Sequence, residues 1–316
     1  MTKKGIDMDE AAEVALPKVA MVGVVGRTNA GKSTLVNRLV GEKVTIVSPV
    51  EQTTRNTVRG IVADPRGQLV LLDTPGLHKA VGPLGKLLNG MARASSAGVD
   101  ILCVVFDAAH EPQLEDEGWM ARVARERPER CVFVLNKADR KPFYETMFRD
   151  AWAKASADAQ GVSPVWVKTA ATRPGGADAL MDALFSMAEP GPLLFPEDVV
   201  TDYPRKLAIA DVVREKLLQR LKGEVPHETG VVVEDIAESK GRWEVSATVY
   251  VNRPSQKAIV IGPRGSLIKA ARSSAEAELA DLFGVKVFLE LWVKVEQNWM
   301  KNSRLLAEMG YMGAAI

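Results

Sequence analysis

The sequence predicts a doubly wound, mostly parallel α/β domain followed by a smaller α+β domain. Three observations predict it. Apolar strand-like runs alternate with helix-like stretches from Val19 to about Ala188. The first run, Val19–Val25, leads into Gly26-Arg27-Thr28-Asn29-Ala30-Gly31-Lys32-Ser33 and then a helical pattern at Leu35, Leu39 and Val40. Past a Pro-rich connection, Glu189–Pro192 and Phe195–Asp198, the order becomes α-β-β-α-α-β.

In the first part the strands are read at Val19–Val25, near Val58–Val62, and at Leu69–Leu72, Ile101–Phe106, Cys131–Leu135 and Val165–Val167. Helical patterns lie around Ser33–Leu39, Leu84–Ala97, Trp119–Arg127, Tyr144–Ala157 and Ala177–Ala188. In the second part Lys206–Leu221 has one apolar helical face. Strand runs follow at Thr229–Ile236 and Trp243–Val251, then a short apolar segment, Ala258–Ile261. Ser266–Leu282 reads as a helix, Val285–Val295 as the last strand, and Asn298–Met309 as a helix. The expected division is a flexible tail (1–17), an α/β domain (18–190), a linker (191–205) and an α+β domain with a C-terminal helix (206–316).

Composition narrows the classes. The 316 residues carry 41 Lys+Arg against 40 Asp+Glu, so any nucleic-acid site must be a local patch. Cys103 and Cys131 lie in apolar runs and are expected as buried thiols of a reducing cytosol. No apolar run approaches the ~20 residues that span a bilayer, and Met1–Pro17 is polar and acidic, unlike a signal peptide.

Gly26–Ser33 matches G-x-x-x-x-G-K-[ST] in the strand-loop-helix context that cradles phosphates on backbone N–H groups. Lys32 is expected on the β- and γ-phosphates and Ser33 on Mg²⁺, with Thr34 opening the helix. Asp73-Thr74-Pro75-Gly76 follows a strand, as does Asn136-Lys137-Ala138-Asp139. Asp73 is expected to hold Mg²⁺ through water, and the Gly76 N–H to sense a γ-phosphate. The Asp139 carboxylate would accept from both guanine N1 and its exocyclic amine. Adenine has neither donor there, so it would leave a buried carboxylate unpaired. Thr169-Ala170 would set a backbone N–H on guanine O6. A mobile switch segment is expected at Gln52-Thr53-Thr54-Arg55-Asn56, with Thr54 the better Mg²⁺ contact and Thr53 behind it.

In the second domain Gly262-Pro263-Arg264-Gly265 is a G-x-x-G loop ahead of a helix. No acidic residue occurs from Arg253 through Lys257, Arg264 and Lys269 to Arg272. Such a loop clamps about four single-stranded nucleotides on its backbone, and Ile261 and Leu267 would floor the groove. Blander readings apply elsewhere. Trp292 and Trp299 read as packing residues, the run Glu111, Glu115, Asp116, Glu117 as a solvated helix start, and Asp107 has no assigned role. His78, His110 and His227 have no metal-ligand spacing.

Gly26–Ser33, Gln52–Arg55, Asp73–His78, Asn136–Asp139, Phe195–Asp198, Arg214–Leu217, Val260–Gly265 and Leu289–Val295 together resemble the Era family of bacterial GTPases. The resemblance implies a Ras-like GTPase domain joined to a type II KH domain. It further implies GTP and GDP as ligands, Mg²⁺, and binding near the 3′ end of 16S ribosomal RNA in assembly of the 30S subunit. The implied setting is cytoplasmic, with peripheral association at the inner membrane face also admitted. The family commonly has Ser-Ala where this chain has Thr169-Ala170. Where many GTPases place a water-orienting Gln, this chain has Leu77, so hydrolysis needs another activator. Arg27 and Arg55 are considered as arginine fingers or surface charges. Asn29 stands where potassium-activated GTPases of the wider class carry Asn, which makes K⁺ a third option. Rival readings are a constitutive RNA-binding module with a structural nucleotide site, separable by nucleotide-insensitive RNA affinity, and a tRNA-modification GTPase, which would want a Cys-bearing tail or folate domain.

Overall fold

The computed structural model describes residues 16–48, 50, 53–76, 84, 87–91, 98–157, 161 and 163–311. Gln52, Leu77, His78 and nearly all of the expected 1–17 tail lie outside them.

The first sheet has the order β2-β3-β1-β4-β5-β6, and a two-residue strand β7 also pairs with β1. Its strands are β1 (Lys18–Val25), β2 (Val58–Asp64), β3 (Gly67–Asp73), β4 (Ile101–Asp107), β5 (Cys131–Asn136), β6 (Val165–Lys168) and β7 (Glu189–Pro190). Only the β2–β3 and β1–β7 pairs are antiparallel. The central strands are nearly continuous apolar runs because both faces are covered. On one face Leu35, Val36 and Leu39 of α1 (Lys32–Val40) meet Leu180 and Leu184 of α4 (Asp178–Met187) across the sheet. On the other, Trp119 and Met120 of α2 (Leu114–Glu126) and Phe148 of α3 (Glu145–Ala155) pack on Phe106 and Phe133. The carboxyl ends of β1, β3, β4 and β5 therefore share one edge, where ligands of such sheets sit. Residues 84 and 87–91 are helical, so the Leu84–Ala97 expectation holds as far as it is described.

The second sheet, β10-β9-β8, comprises β8 (Gly230–Ser239), β9 (Arg242–Val251) and β10 (Lys286–Val295), with β9–β10 parallel. One face carries α5 (Arg205–Leu218), α6 (Pro254–Ile261) and α7 (Ser266–Phe283), through Ile209, Val213, Val260, Ala275 and Leu279. The apolar segment Ala258–Ile261 is thus the end of a helix. Asn298–Met309 is not one helix: a 3₁₀ turn (Trp299–Lys301) precedes α8 (Ser303–Glu308), which Asn302 caps through Arg304 N–H and Leu305 N–H. Trp299 is buried as expected, whereas Trp292 is 62% exposed. Strand parity places Trp292 with Phe288, Glu290 and Lys294, on the face opposite α5, α6 and α7.

The two domains are joined by more than their linker. The Arg55 guanidinium, 1% exposed, donates to the backbone carbonyls of Thr229 (3.0 Å) and His227 (2.9 Å), and Asn56 Nδ2 to that of Met309 (3.0 Å) and to Tyr203 Oη (2.7 Å). In return Arg214 of α5 donates to the Thr53 carbonyl. Arg55 is therefore neither finger nor surface charge, because its guanidinium is buried and both its Nη atoms donate into the second domain. Leu84 and Leu88 of the first domain share an apolar cluster with Trp299, Leu305, Met309 and Tyr311.

Replacing Arg55 by Ala strands two buried carbonyls. Arg55→Ala is expected to cost about 2–4 kcal/mol and to split unfolding into two transitions. Urea denaturation followed by tryptophan fluorescence reads both effects; a single transition at the wild-type midpoint would contradict the tie.

Candidate functional site

A cavity of about 400 Å³ opens at the carboxyl edge of the first sheet, between Asn29, Lys32 and Ser33 on one side and Asn136, Lys137 and Asp139 on the other. That is the size of a small-molecule site. The Gly26–Ser33 loop closely approaches its neighbours. At Gly31, φ is +96°, and a Cβ would lie 2.3 Å from Asn136 Nδ2, so only glycine fits. Asn136 is a strut: its Nδ2 donates to the Ala30 carbonyl (2.9 Å), and its Oδ1 accepts from Thr169 Oγ1 (3.0 Å).

Lys32 is buried and folds back on the Arg27 (2.8 Å) and Gly26 (3.2 Å) carbonyls. Burial pulls its pKa down to about 8, against the attraction of Asp73. Asp73 is fully buried; burial pushes its carboxyl up, opposed by Ser33, Lys32 and Thr45. Its Oδ2 accepts from Thr45 Oγ1 (2.9 Å), while its Oδ1 meets no hydrogen-bond donor. Ser33 Oγ lies 2.9 Å from Thr54 Oγ1. Thr53 does not compete, since its hydroxyl donates to Val50 and its carbonyl receives Arg214. Thr74 Oγ1 anchors its loop to the Val24 carbonyl (3.0 Å), and Gly76 sits so close to the Thr28 backbone that a Cβ would lie 2.7 Å from its nitrogen.

Lys137 adopts φ +65°, and its Nζ reaches the Asn29 carbonyl (2.8 Å). Asp139 accepts from Arg173 Nε at 3.3 Å. The Thr169-Ala170 expectation needs correction. Thr169 N–H donates to Leu135 and Ala170 N–H to Gly176, and the cavity wall there is Ala171 and Thr172. The acidic run also differs from its solvated reading. Asp116 is fully buried, accepts from Arg27 Nε (3.1 Å) and Gln113 N–H (3.0 Å), and is pushed up to about 6 by burial. Arg27 is consequently an internal ion-pair partner. Asp107, without a role in the sequence reading, accepts from Lys137 Nζ at 2.7 Å. Only the position of an Asp at a strand end, next to two functional loops, could have signalled it.

On the second domain the G-x-x-G loop joins α6 to α7. Gly262 has φ +74°, and its Cβ would lie 2.8 Å from Leu267 Cβ; Gly265 has φ +75° with open space around it. Pro263 and Arg264 are exposed, Arg264 at φ +52°, and so are Lys269 and Arg272, with Lys257 half-buried. Ile261 and Leu267 are half-buried beside them, and Ile259, not singled out from the sequence, is exposed on the same helix.

Against known proteins, residues 21–137 match a family model described as 50S ribosome-binding GTPase, and residues 224–300 match a KH domain model. The GTPase Era of Rippkaea orientalis is 38% identical over 93% of this chain and 92% of its own length. The GTPase Era of Geobacter sp. strain M21 is 39% identical over 92% of this chain and 96% of its own. The chain belongs to the Era family of GTPases. An Era crystal structure in complex with MgGDPNP and nucleotides 1506–1542 of 16S ribosomal RNA superposes with a TM-score of 0.86 at 31% identity, covering 93% of this chain and 99% of that one. An Aquifex aeolicus Era variant bound to GDP·AlF4⁻ gives 0.85 at 30% identity, with the same coverages. The Era architecture, a GTPase domain followed by a KH domain, is the one described above.

The buried ammonium at this Era site has a stability signature. Lys32 is depressed from 10.5 to about 8, so between those values the unfolded chain binds more protons. Stability therefore rises with pH through that window. Nucleotide-free Lys32→Met should be more stable than wild type by up to about 3 kcal/mol at pH 7, the gap closing above pH 8. Denaturation at pH 7, 8 and 9 checks it; a pH-independent gap would contradict the assignment.

Proposed function

We propose that the chain is a GTP-driven switch whose KH domain holds the 3′ end of 16S ribosomal RNA during 30S subunit assembly, in the cytoplasm. GTP hydrolysis to GDP and phosphate is the family's activity. The proposed boundaries are 18–190 for the GTPase domain, 191–205 for the linker and 206–316 for the KH domain, after a tail at 1–17. Peripheral contact with the inner membrane face is also proposed; among the described residues no helix is long and apolar enough to cross a membrane.

In this reading Lys32 leaves its two loop carbonyls for the β- and γ-phosphates, and loop N–H groups from Gly26 to Thr34 carry the rest of the charge. Mg²⁺ fits the donors present: the paired hydroxyls of Ser33 and Thr54, and Asp73 Oδ1, a buried acceptor without a donor. Held by these residues, Mg²⁺ would supply charge neutralisation for the phosphates. Gly76, whose Cα packs close to the Thr28 backbone, would offer its N–H to the γ-phosphate, with Leu77 next in sequence. Asp139 reads guanine, with Lys137 and Ala138 beside the base and the O6 contact moved past Thr169-Ala170 to the Ala171–Thr172 wall. Gly262, Pro263, Arg264 and Gly265 clamp RNA over Ile261, with Lys257, Lys269 and Arg272 as phosphate partners.

A single observation carries the switch. The segment Thr53–Asn56 has Thr54 on the Ser33 hydroxyl and, one residue on, Arg55 enclosed by KH-domain carbonyls. A γ-phosphate that draws Thr54 to Mg²⁺ must therefore load the KH junction. RNA carrying the 3′ end of 16S ribosomal RNA should bind with different affinity in the GTP-analogue and GDP states. Gly265→Asp, at the uncrowded glycine, should weaken that binding at least about tenfold through phosphate repulsion, with RNA-free GTPase activity kept. Fluorescence anisotropy with both nucleotides tests it. Equal affinities would favour the constitutive RNA-binding module.

Activation of hydrolysis follows from Asn29, whose backbone is held left-handed in the phosphate loop at φ +59°. Its side-chain oxygen is proposed to coordinate K⁺ beside the phosphates, since Arg27 and Arg55 are both committed elsewhere. Hydrolysis should be faster in KCl than in NaCl at equal ionic strength, and Asn29→Ala should abolish the difference. Equal rates would leave RNA or a protein partner as activator.

A further inference from the structure

Asp107 is the last residue of β4, the strand between β1 and β5. Those neighbours end in the two loops that build the nucleotide cavity: the phosphate loop after β1 and Asn136–Asp139 after β5. Register sets Asp107 opposite Asn136, so its short side chain reaches both loops. Its carboxylate, 3% exposed, does so through one oxygen. Oδ2 accepts from Lys137 Nζ (2.7 Å), lies 3.4 Å from Arg27 Nη2, and lies 3.1 Å from His110 Nδ1. Oδ1 is turned to the Ala109 N–H at 3.2 Å. Burial opposes ionisation, but the Lys137 bond and the charges of Lys137, Arg27 and His110 outweigh it and hold the carboxyl below its usual range.

We propose that Asp107 is a positioning residue for guanine-nucleotide binding, tying the base-covering Lys137 to the phosphate loop through Arg27. The inference rests on the nucleotide-site reading above and adds a residue that reading does not use. Each cation has one further tether: Lys137 the Asn29 carbonyl, Arg27 the carboxylate of Asp116 on α2. Without Asp107, Lys137 keeps a neutral acceptor alone and Arg27 turns wholly toward α2. The charge-assisted link between the base half and the phosphate half of the cavity then goes, leaving the neutral Lys137–Asn29 and Asn136–Ala30 bonds. A bound nucleotide spans both halves, so the cost falls on GTP and GDP alike. Differential stabilisation of the transition state is untouched, because Asp107 faces neither the γ-phosphate hydroxyl pair Ser33–Thr54 nor Asp73.

A competing effect has the opposite sign. Removing a negative charge near the phosphate loop makes the field there more attractive to phosphate, which by itself would tighten binding. Direction thus separates tether from field.

The experiment measures GDP and GTP-analogue affinity by calorimetry with Mg²⁺, together with steady-state GTP hydrolysis, for the full chain. Asp107→Asn should weaken both nucleotides about ten- to a hundredfold, the scale of a lost charge-assisted hydrogen bond, with kcat within about twofold at saturation. The penalty should shrink to less than about threefold in a Lys137→Met background. Asp107→Glu, charged but longer, should fall between. Unchanged or tighter binding, an equal penalty with and without Lys137, or a kcat loss at saturation would overturn the proposal. So would failure of both Asp107 variants to fold. If wild type itself fails to bind GDP, the nucleotide-site reading is what falls.

Discussion

The enclosure of Arg55 between the two domains constrains everything on either side of it. A guanidinium is expensive to bury, and a second one, Arg214, lies in the same junction with its pKa pulled down to about 10, first by burial and then by the charge of Arg55. Asp211 lies among them, its carboxyl pushed up by burial and accepting from Tyr203 Oη at 2.8 Å. Two like charges stay there because carbonyls of known position receive them: Thr229 and His227 from the KH domain, Thr53 from the switch segment. The tie is reciprocal, since each domain supplies an arginine to the other's backbone. Neither surface can then relax without exposing unpaired polar groups.

That constraint explains why the KH sheet is covered on both faces in different ways. Its own helices fill one face. On β8 the other face meets Trp299, Leu305 and Met309, together with Leu84 and Leu88 from the helical stretch downstream of Asp73–Gly76. The C-terminal segment therefore receives the chain that follows each nucleotide motif: Asn56 bonds the Met309 carbonyl, and Leu84 and Leu88 join its apolar cluster. Toward β10 the same face is bare, and there Trp292 stands exposed beside Phe288.

Residues whose identity is dictated by a ligand were legible in the sequence. In the proposed nucleotide site a phosphate would demand Gly26, Gly31 and Lys32, a metal Ser33 and Asp73, and a guanine Asp139, whatever the rest of the chain does. The strands were legible too, because burial on both faces leaves uninterrupted apolar runs. Residues that answer to a tertiary neighbour were not. Arg55 has the composition of a surface residue, and nothing local shows that carbonyls more than 170 positions away await it. Asp116 lies in a run of acids at a helix start, where solvation is the usual outcome; Arg27, 89 residues earlier, makes it different. Trp292 differs from the packing expectation for another reason: its strand alternates, and parity with Glu290 and Lys294 assigns it outward despite its bulk. At Thr169-Ala170 the local pattern was right about the strand end, yet the carbonyls of Leu135 in β5 and Gly176 in the loop take both N–H groups.

Two links cross from the region around α1 to the KH domain, and their energetics differ. Lys43 bonds Glu215 at 2.6 Å and Glu278 at 2.5 Å, and Glu278 lies on α7, the helix that begins at the G-x-x-G loop. By connectivity this is the shorter route from nucleotide to RNA. Lys43 is 31% exposed, however, and such pairs contribute about 0–1 kcal/mol and are screened by salt. Arg55 is sealed from water, so breaking its bonds carries the desolvation penalty of two carbonyls and a cation. A nucleotide can bias the KH domain only by as much as its states differ in the contacts they support. The buried tie has that range and the half-exposed Lys43 pairs do not. The buried route from the nucleotide cavity into the KH domain is therefore Thr54–Arg55 to the carbonyls of His227 and Thr229, just ahead of β8.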